Sequence, residues 1–135
     1  MQKLTNQQAF DKALFGIRAQ GYARSYINGR GCSYRGANST KCAVGHCIPD
    51  ELYTPELDSA GESTDWFSIV FRHGNHPAIW LLSDCNGNFI ADMQDIHDTN
   101  LSDVTDDNGV SEFESSMKML AEQYTLVYTP VNTTE

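Results

Sequence analysis

The sequence predicts a small α+β domain in which a β-hairpin, at about residues 31–45, packs on amphipathic helices. The chain of 135 residues is long enough to form one hydrophobic core. Several segments repeat apolar residues at the helical period, and two short strand-like runs flank a turn-like stretch. The expected organisation is one globular domain over residues 1–128, followed by a flexible tail at 129–135.

The first predicted helix covers residues 5–20. Its apolar residues fall on one face at the helical period: Ala9, Phe10, Ala13, Leu14 and Ile17. Thr5 or Asn6 is suited to cap the start of this helix, and Gly21 is suited to end it.

The predicted hairpin follows. Residues 32–35 and 41–45 form the two strand-like runs, and residues 36–40 (GANST) form the loop between them. A two-stranded hairpin is not stable alone in water, so we expect it to lie against the helices.

The middle of the chain contains short apolar runs whose type is ambiguous. Residues 48–53 have the features of a helix start, with an early proline and two acidic residues. Residues 64–72 are the most apolar stretch and are interpreted as a core helix, capped by Ser63 or Thr64 and ended by Gly74. The alternative is a meander of strands at 67–71, 78–82 and 88–91, because Asn86–Gly87 is also a hairpin signal.

Two more helices are predicted towards the end of the chain. Residues 88–97 repeat apolar residues at the helical period, and residues 111–124 do so more clearly. Residues 126–128 then form either a last strand or an extended segment.

Charge is distributed unevenly along the chain, whose formal net charge is −9. Residues 1–48 contain seven of the nine Lys and Arg residues and only one acid, whereas residues 49–135 contain 17 of the 18 acids. Either the two segments neutralise each other within the fold, or the surface is dipolar and offers an acidic face to a basic partner.

Residues 32–53, CSYRGANSTKCAVGHCIPDELY, resemble a motif of small bacteriophage and prophage proteins, C-x-Y-R-G, a short loop, K-C-A-V-G and I-x-D-E-x-Y. Three further stretches agree with that family: AFDK at 9–12, MQDIHD at 93–98 and MLAEQY at 119–124. The sequence departs from the motif at His46–Cys47, where the family has an aliphatic pair. The resemblance implies a phage origin and brings no catalytic activity with it.

Cysteine and histidine are concentrated around the motif. A zinc site is one interpretation, since zinc takes four such ligands in a tetrahedron, and the candidate ligands are Cys32, Cys42, His46, Cys47 and Cys85. Their spacing fits no standard zinc motif, so buried reduced thiols are the preferred interpretation and no cofactor is expected. A second conceivable metal site combines His73, His76, His97 and Asp98.

The preferred function is a small acidic phage accessory protein that binds a host protein, for example as an inhibitor of a defence or nucleic-acid-handling factor. GxSxG, phosphate-loop and GxGxxG motifs are absent, which favours a non-enzymatic role. Partner contact is expected from exposed tyrosines and from acids that mimic nucleic acid. The candidates are Tyr22, Tyr26, Tyr53, Asp103, Asp106 and Asp107.

Two other functions remain open. One is a zinc-stabilised regulator or metal-dependent enzyme that uses the Cys/His cluster. The other is nucleic-acid binding through the basic, tyrosine-containing segment 18–41, which the acidic remainder of the chain disfavours. The sequence contains no recognisable signal peptide and no long apolar run, so we expect a protein of the bacterial host cytoplasm.

Overall fold

The computed structural model describes residues 2–23, 33–36, 40–58, 66–100 and 107–131. In these ranges the regular structure is helical, and no residue is in a β-strand. The α-helices are α1 (Asn6–Ala19), α2 (Ala43–Cys47), α3 (Trp66–His73), α4 (Pro77–Leu81), α5 (Gly87–Asn100) and α6 (Asp107–Gln123), and short 3₁₀ helices occur at Asp50–Leu52 and Pro55–Asp58. The predicted α+β class is therefore wrong for the part of the chain that is described.

Helix α1 forms where the sequence predicts it. Thr5 and Gln8 make a capping box, in which Gln8 N donates to Thr5 Oγ1 at 3.1 Å and Thr5 N donates to Gln8 Oε1 at 2.9 Å. At the other end, Gly21 has a φ of 73°. Gly21 N and Tyr22 N bond to carbonyls of the last turn, which is the pattern of a Schellman motif.

The predicted hairpin at residues 31–45 does not form in the residues described there. Its second predicted strand is instead helix α2, and Cys42 caps this helix, since Gly45 N donates to the Cys42 sulfur at 3.4 Å. The first predicted strand makes no ladder, because Tyr34 N and Arg35 N donate to the carboxylate of Asp58 at 2.9 and 3.1 Å. A carboxylate distant in sequence thus replaces the partner strand.

Arg35 holds this region together. Its guanidinium donates to the carbonyls of Gly45 at 2.9 Å and Ile48 at 2.8 Å, which lie at the end of α2. It also contacts Asp50 Oδ1 at 3.1 Å and lies 4.7 Å from the centroid of the Tyr53 ring. The fixed fork of the arginine thus gives the Ile48 carbonyl a donor and adds a second donor to the Gly45 carbonyl, which also accepts from Ile48 N at 3.2 Å.

Helix α2 lies between α1 and α5. Gln94 of α5 connects to it through both ends of its amide: Val44 N donates to Oε1 at 3.1 Å, and Nε2 donates to the Cys42 sulfur at 3.2 Å. Gly45 has no room for a side chain, because a Cβ atom there would overlap the carbonyl oxygen of Tyr34. The glycine of the motif is therefore required by this close approach.

The remaining apolar runs are helical, which decides against the strand meander. Residues 67–71 lie in α3 and residues 88–91 in α5, while residues 78–81 lie in α4 and residue 82 in the turn that follows. Asn86 begins α5 with its side chain, which accepts from Asn88 N at 2.9 Å and from Phe89 N at 3.1 Å. The Asn-Gly pair thus acts as a helix cap and not as a hairpin turn.

The core is built from the buried faces of α1, α2, α5 and α6, and aromatic rings connect α1, α5 and the residue that follows α6. Phe10 of α1 packs on Phe89 of α5 with ring centroids 6.5 Å apart, and Phe89 packs on Tyr124 at 5.3 Å. Among the described residues, no helix combines the length and the apolar character that crossing a membrane requires.

Residues 126–131, called the strap below, extend back along α1 after α6 ends. Residues 126–128, predicted as a strand or an extended segment, are extended without strand pairing and are held by side chains. Gln7 pairs with both backbone groups of Val127, at 3.0 Å to its carbonyl oxygen and 2.8 Å to its N–H. Arg18 Nη2 donates to the carbonyl of Thr129 at 2.8 Å. Of the predicted flexible tail, residues 132–135 lie outside the described residues.

Candidate protein-binding face

Helix α3 turns apolar side chains in two directions. Trp66 and Ile69 are buried against the core, at 5% and 0% exposure. Phe67, Val70 and Phe71, called the α3 stripe below, follow the i, i+3, i+4 spacing on the solvent side, with exposures of 55%, 38% and 90%. The interpretation of residues 64–72 as core is therefore wrong for Phe67 and Phe71.

A groove of about 500 Å³ adjoins this stripe, and Val70 and Phe71 form part of its wall. Its polar side contains Glu56, whose side chain is 57% exposed. The two carboxylate oxygens of Glu56 face His73 Nδ1 and His76 Nε2, each at 3.8 Å. An anionic group thus lies next to an exposed apolar surface.

His76 is held in one orientation at the start of α4. Its Nδ1 accepts from Ala78 N at 3.0 Å, so the ring proton is placed on Nε2. Nε2 then donates to Thr54 Oγ1 at 2.7 Å, and that hydroxyl donates to Glu56 Oε1 at 3.1 Å. This chain of donors ends on the Glu56 carboxylate, which brings a negative charge to the groove, while Arg72 in the same wall brings a positive one.

The sequence pairs His73 and His76 with His97 and Asp98, but the structure places His97 elsewhere. His97 is buried between α5 and α6, 6.1 Å from the Phe113 ring, and its Nε2 contacts the carbonyl of Ala23 at 3.2 Å. The side chain of Asp98 lies outside the described part. His73 and His76 instead meet Glu56, a residue that sequence spacing does not link to them.

The candidate zinc ligands make their contacts in different parts of the fold. Cys42 and Cys47 are buried thiols, and the Cys47 sulfur donates to the carbonyl of Ala9 at 3.3 Å. The Cys85 thiol donates to the carbonyl of Leu4 at 3.4 Å, at the beginning of α1. Burial raises the pKa of Cys47 to about 12 and that of Cys85 to about 11.

His46 also points away from the thiols. Its Nε2 contacts Gln20 Oε1 at 2.9 Å. Burial, together with the charge of Lys41, lowers the pKa of His46 to about 4. Cys32 lies outside the described residues. Within the ranges that are described, no three His, Cys, Asp or Glu side chains are grouped to hold a metal ion.

Two of the candidate partner-binding tyrosines are half-buried and bonded within the fold. Tyr22 OH donates to Glu114 Oε2 at 2.9 Å, and its ring packs edge-on against Phe113. Tyr53 OH donates to Asp58 Oδ2 at 2.6 Å, and its ring lies under Arg35.

Of the other partner-binding candidates, only Asp107 belongs to the described part of the chain. Tyr26, Asp103 and Asp106 lie outside the described residues, and Asp107 is the first residue of α6. The partner contact expected from these four residues stays a prediction.

Sequence reasoning missed the α3 stripe although a signal was available. Five of the six residues from 66 to 71 are apolar. A helix cannot direct so continuous an apolar run to one side, so some of these side chains must face outward. The groove could not be found this way, because Glu56 and His76 are 20 positions apart.

Compared with known proteins, the chain matches no family model, no curated protein sequence and no solved structure. The resemblance to small phage proteins therefore stays a prediction. The geometry of the chain itself is what supports a function.

Proposed function

We propose that this chain is a non-enzymatic phage accessory protein that binds a basic host protein through the α3 stripe and the adjoining groove. The observation that carries the proposal is Phe71, a phenylalanine 90% exposed on an ordered helix. With Phe67 and Val70 it forms a continuous apolar strip at helical spacing. A strip of this kind is typical of a surface that a partner covers.

Charge favours a basic protein as the partner. The chain has a formal net charge of −9, which accelerates encounter with a basic protein and slows encounter with an acidic one. At the stripe itself, the exposed Glu56 carboxylate can accept a lysine or arginine of the partner. A basic surface with a central apolar side chain therefore fits this face best.

The basic residues of the first third favour a protein partner over a nucleic acid. Arg18 is engaged with Glu114 at 2.6 Å, and Arg35 is engaged with carbonyls and with Asp50. Lys41 lies 3.5 Å from the same Asp50 carboxylate. These three cations have acceptors within the fold and so contribute little to phosphate binding.

The test uses substitutions that change the surface without changing the core. F71S removes the most exposed ring of the stripe, and E56Q removes the carboxylate charge of the groove while Arg72 remains. M119S is the matched control, because Met119 is 68% exposed on α6. Each variant is immobilised and exposed to a bacterial lysate, and every retained protein is purified and measured by calorimetry at low and high salt.

The expected result is a basic protein that binds the wild type and M119S alike. For F71S its affinity should fall about 30-fold or more, as for a central anchor residue. For E56Q binding should weaken mainly at low salt. Retained proteins that bind F71S as tightly as the wild type would contradict the proposal, since charge alone would then explain the capture.

A further inference from the structure

The strap contacts the rest of the molecule in the way a bound peptide contacts a receptor. Leu126, Tyr128 and Pro130 line a groove of about 550 Å³ along α6, while Val127 between them is 70% exposed. The strap therefore forms one wall of this groove, and α6 forms the other. The Gln7 amide bonds both backbone groups of Val127, in the way a neighbouring strand would.

The seat for Tyr128 does not depend on the strap. Arg18 donates to Glu114 from Nε at 2.9 Å and from Nη2 at 2.6 Å, and Tyr22 OH donates to the same carboxylate. Tyr128 OH adds a fourth bond at 2.6 Å. If the strap left, the other three bonds would still orient the carboxylate, so this seat is preformed for the tyrosine of an extended segment.

The connection between α6 and the strap is strained. Thr125 has a φ of 58°, a left-handed conformation that suits glycine and is unfavourable for a β-branched residue. It occupies the position after the helix at which the Schellman motif requires this conformation, since Leu126 N bonds to Ala121 O at 2.7 Å and Thr125 N to Glu122 O at 3.3 Å. Folding the strap back onto its own seat therefore requires an unfavourable backbone at Thr125.

We propose that the strap's seat, formed by Gln7 and Arg18 of α1 and Glu114 of α6, also accepts residues 126–131 of a second copy of this chain, so that two copies exchange straps reciprocally. The occupant follows from identity, because the strap already bonds to this seat within one chain, and the bonds from Gln7, Arg18 and Glu114 can form again across two copies. Exchange by a two-fold operation occupies both seats and relieves the strain at both Thr125 residues. A short strained connection is the feature that favours such exchange.

Three variants of the full chain test the exchange by light scattering during size-exclusion chromatography, from dilute to concentrated solution. T125P forbids the positive φ, so the strap cannot fold back, and the association constant of the dimer should rise about tenfold or more. T125G allows the positive φ without strain and should lower that constant about tenfold. T125P/Q7A removes the backbone clamp and should return the chain to a monomer.

Several results would overturn the proposal. A T125P chain that melts cooperatively and stays monomeric would do so, as would T125P dimers that persist in T125P/Q7A. If T125P does not fold, T125G decides, because a dimer fraction at or above that of the wild type contradicts the exchange. F71S in the T125P background should leave the dimer intact, and its loss would assign the dimer to the α3 stripe instead.

Discussion

Gly16 of α1 lies directly against the imidazole of His46, so closely that a Cβ atom at position 16 would overlap the ring. This contact is where α1 and α2 approach each other. In an open helix, alanine is more favourable than glycine by about 1 kcal/mol. At position 16 glycine should instead be more favourable than alanine.

The first prediction concerns this pair. G16A should destabilise the fold by about 2 kcal/mol, because the His46 ring must move within a packed interface. H46A removes the ring, so in that background the added methyl group should be neutral or stabilising. Chemical denaturation of both single variants and the double variant measures this coupling. Additive effects would show that the close approach has no energetic consequence.

The second prediction concerns pH. Burial lowers the pKa of His46 to about 4, from an ordinary value of 6.5. The unfolded chain therefore binds a proton more readily than the native state between these values, and stability falls as pH drops through this window. The loss should be about 2 kcal/mol, because the ring is partly exposed and solvent screens its charge.

Denaturant unfolding at about pH 7 and pH 4.5 measures this loss. H46Q is the comparison, since glutamine does not titrate and can still contact Gln20. The variant should lose about 2 kcal/mol less than the wild type on acidification. Equal losses in the two proteins would assign the pH dependence to other groups.

The third prediction concerns Arg35. R35K keeps the charge but loses the planar fork that reaches the carbonyls of Gly45 and Ile48. The Ile48 carbonyl would lose its Arg35 donor and the Gly45 carbonyl would keep only the Ile48 N–H, so stability should fall by about 2 kcal/mol. K118R, an exchange of the same kind at an exposed position, should leave the melting temperature unchanged. A neutral R35K would mean that water satisfies these carbonyls equally well.

The fourth prediction concerns Glu114, which accepts from Arg18, Tyr22 and Tyr128. E114Q leaves the guanidinium of Arg18, whose side chain is 15% exposed, without a counter-charge, so stability should fall by about 2 kcal/mol. Burial, and after it the bond to Glu114, raises the pKa of Tyr22 to about 12. In E114Q this pKa should fall towards 10, which an absorbance titration at alkaline pH can follow. E112Q, at an exposed neighbouring position, is the control.

The fifth prediction concerns the thiols. In a C32S background, Cys42, Cys47 and Cys85 should react slowly with a thiol reagent in the native state and completely after denaturation. Cys42 and Cys47 are buried, and the Cys85 pKa is raised to about 11. A chelator should not change the rates, because burial protects these groups. Rapid reaction after chelation would instead support a metal site.

The sequence predicted the helices whose burial is periodic. In α1, α5 and α6 the inward residues recur at the helical spacing, so the local pattern contains the necessary information. The segment at 31–45 was predicted wrongly because its bonding partners are distant. Asp58 takes the N–H groups of Tyr34 and Arg35, and Gln94 takes that of Val44. Contacts between residues so far apart in the sequence cannot be predicted from local propensity.

The candidate site was harder to predict for the same reason. Apolar composition alone cannot separate Ile69, which is buried, from Phe71, which is exposed. Which of the two residues is buried depends on which side of α3 packs against α5, and that is a property of the assembled fold. The tyrosines chosen for their polarity and size, Tyr22 and Tyr53, proved to be bonded to carboxylates of the same chain.

The residues that carry the phage-type resemblance have structural roles in this chain. They contact one another or a helix end, and none of them belongs to the α3 stripe: Arg35, Cys42, Gly45 and Tyr53. The proposed function therefore implies that chains sharing these residues would have a common frame without a common target. Divergence in what such proteins recognise is to be sought at positions 67, 70 and 71, where a change of side chain alters the surface and leaves the frame intact.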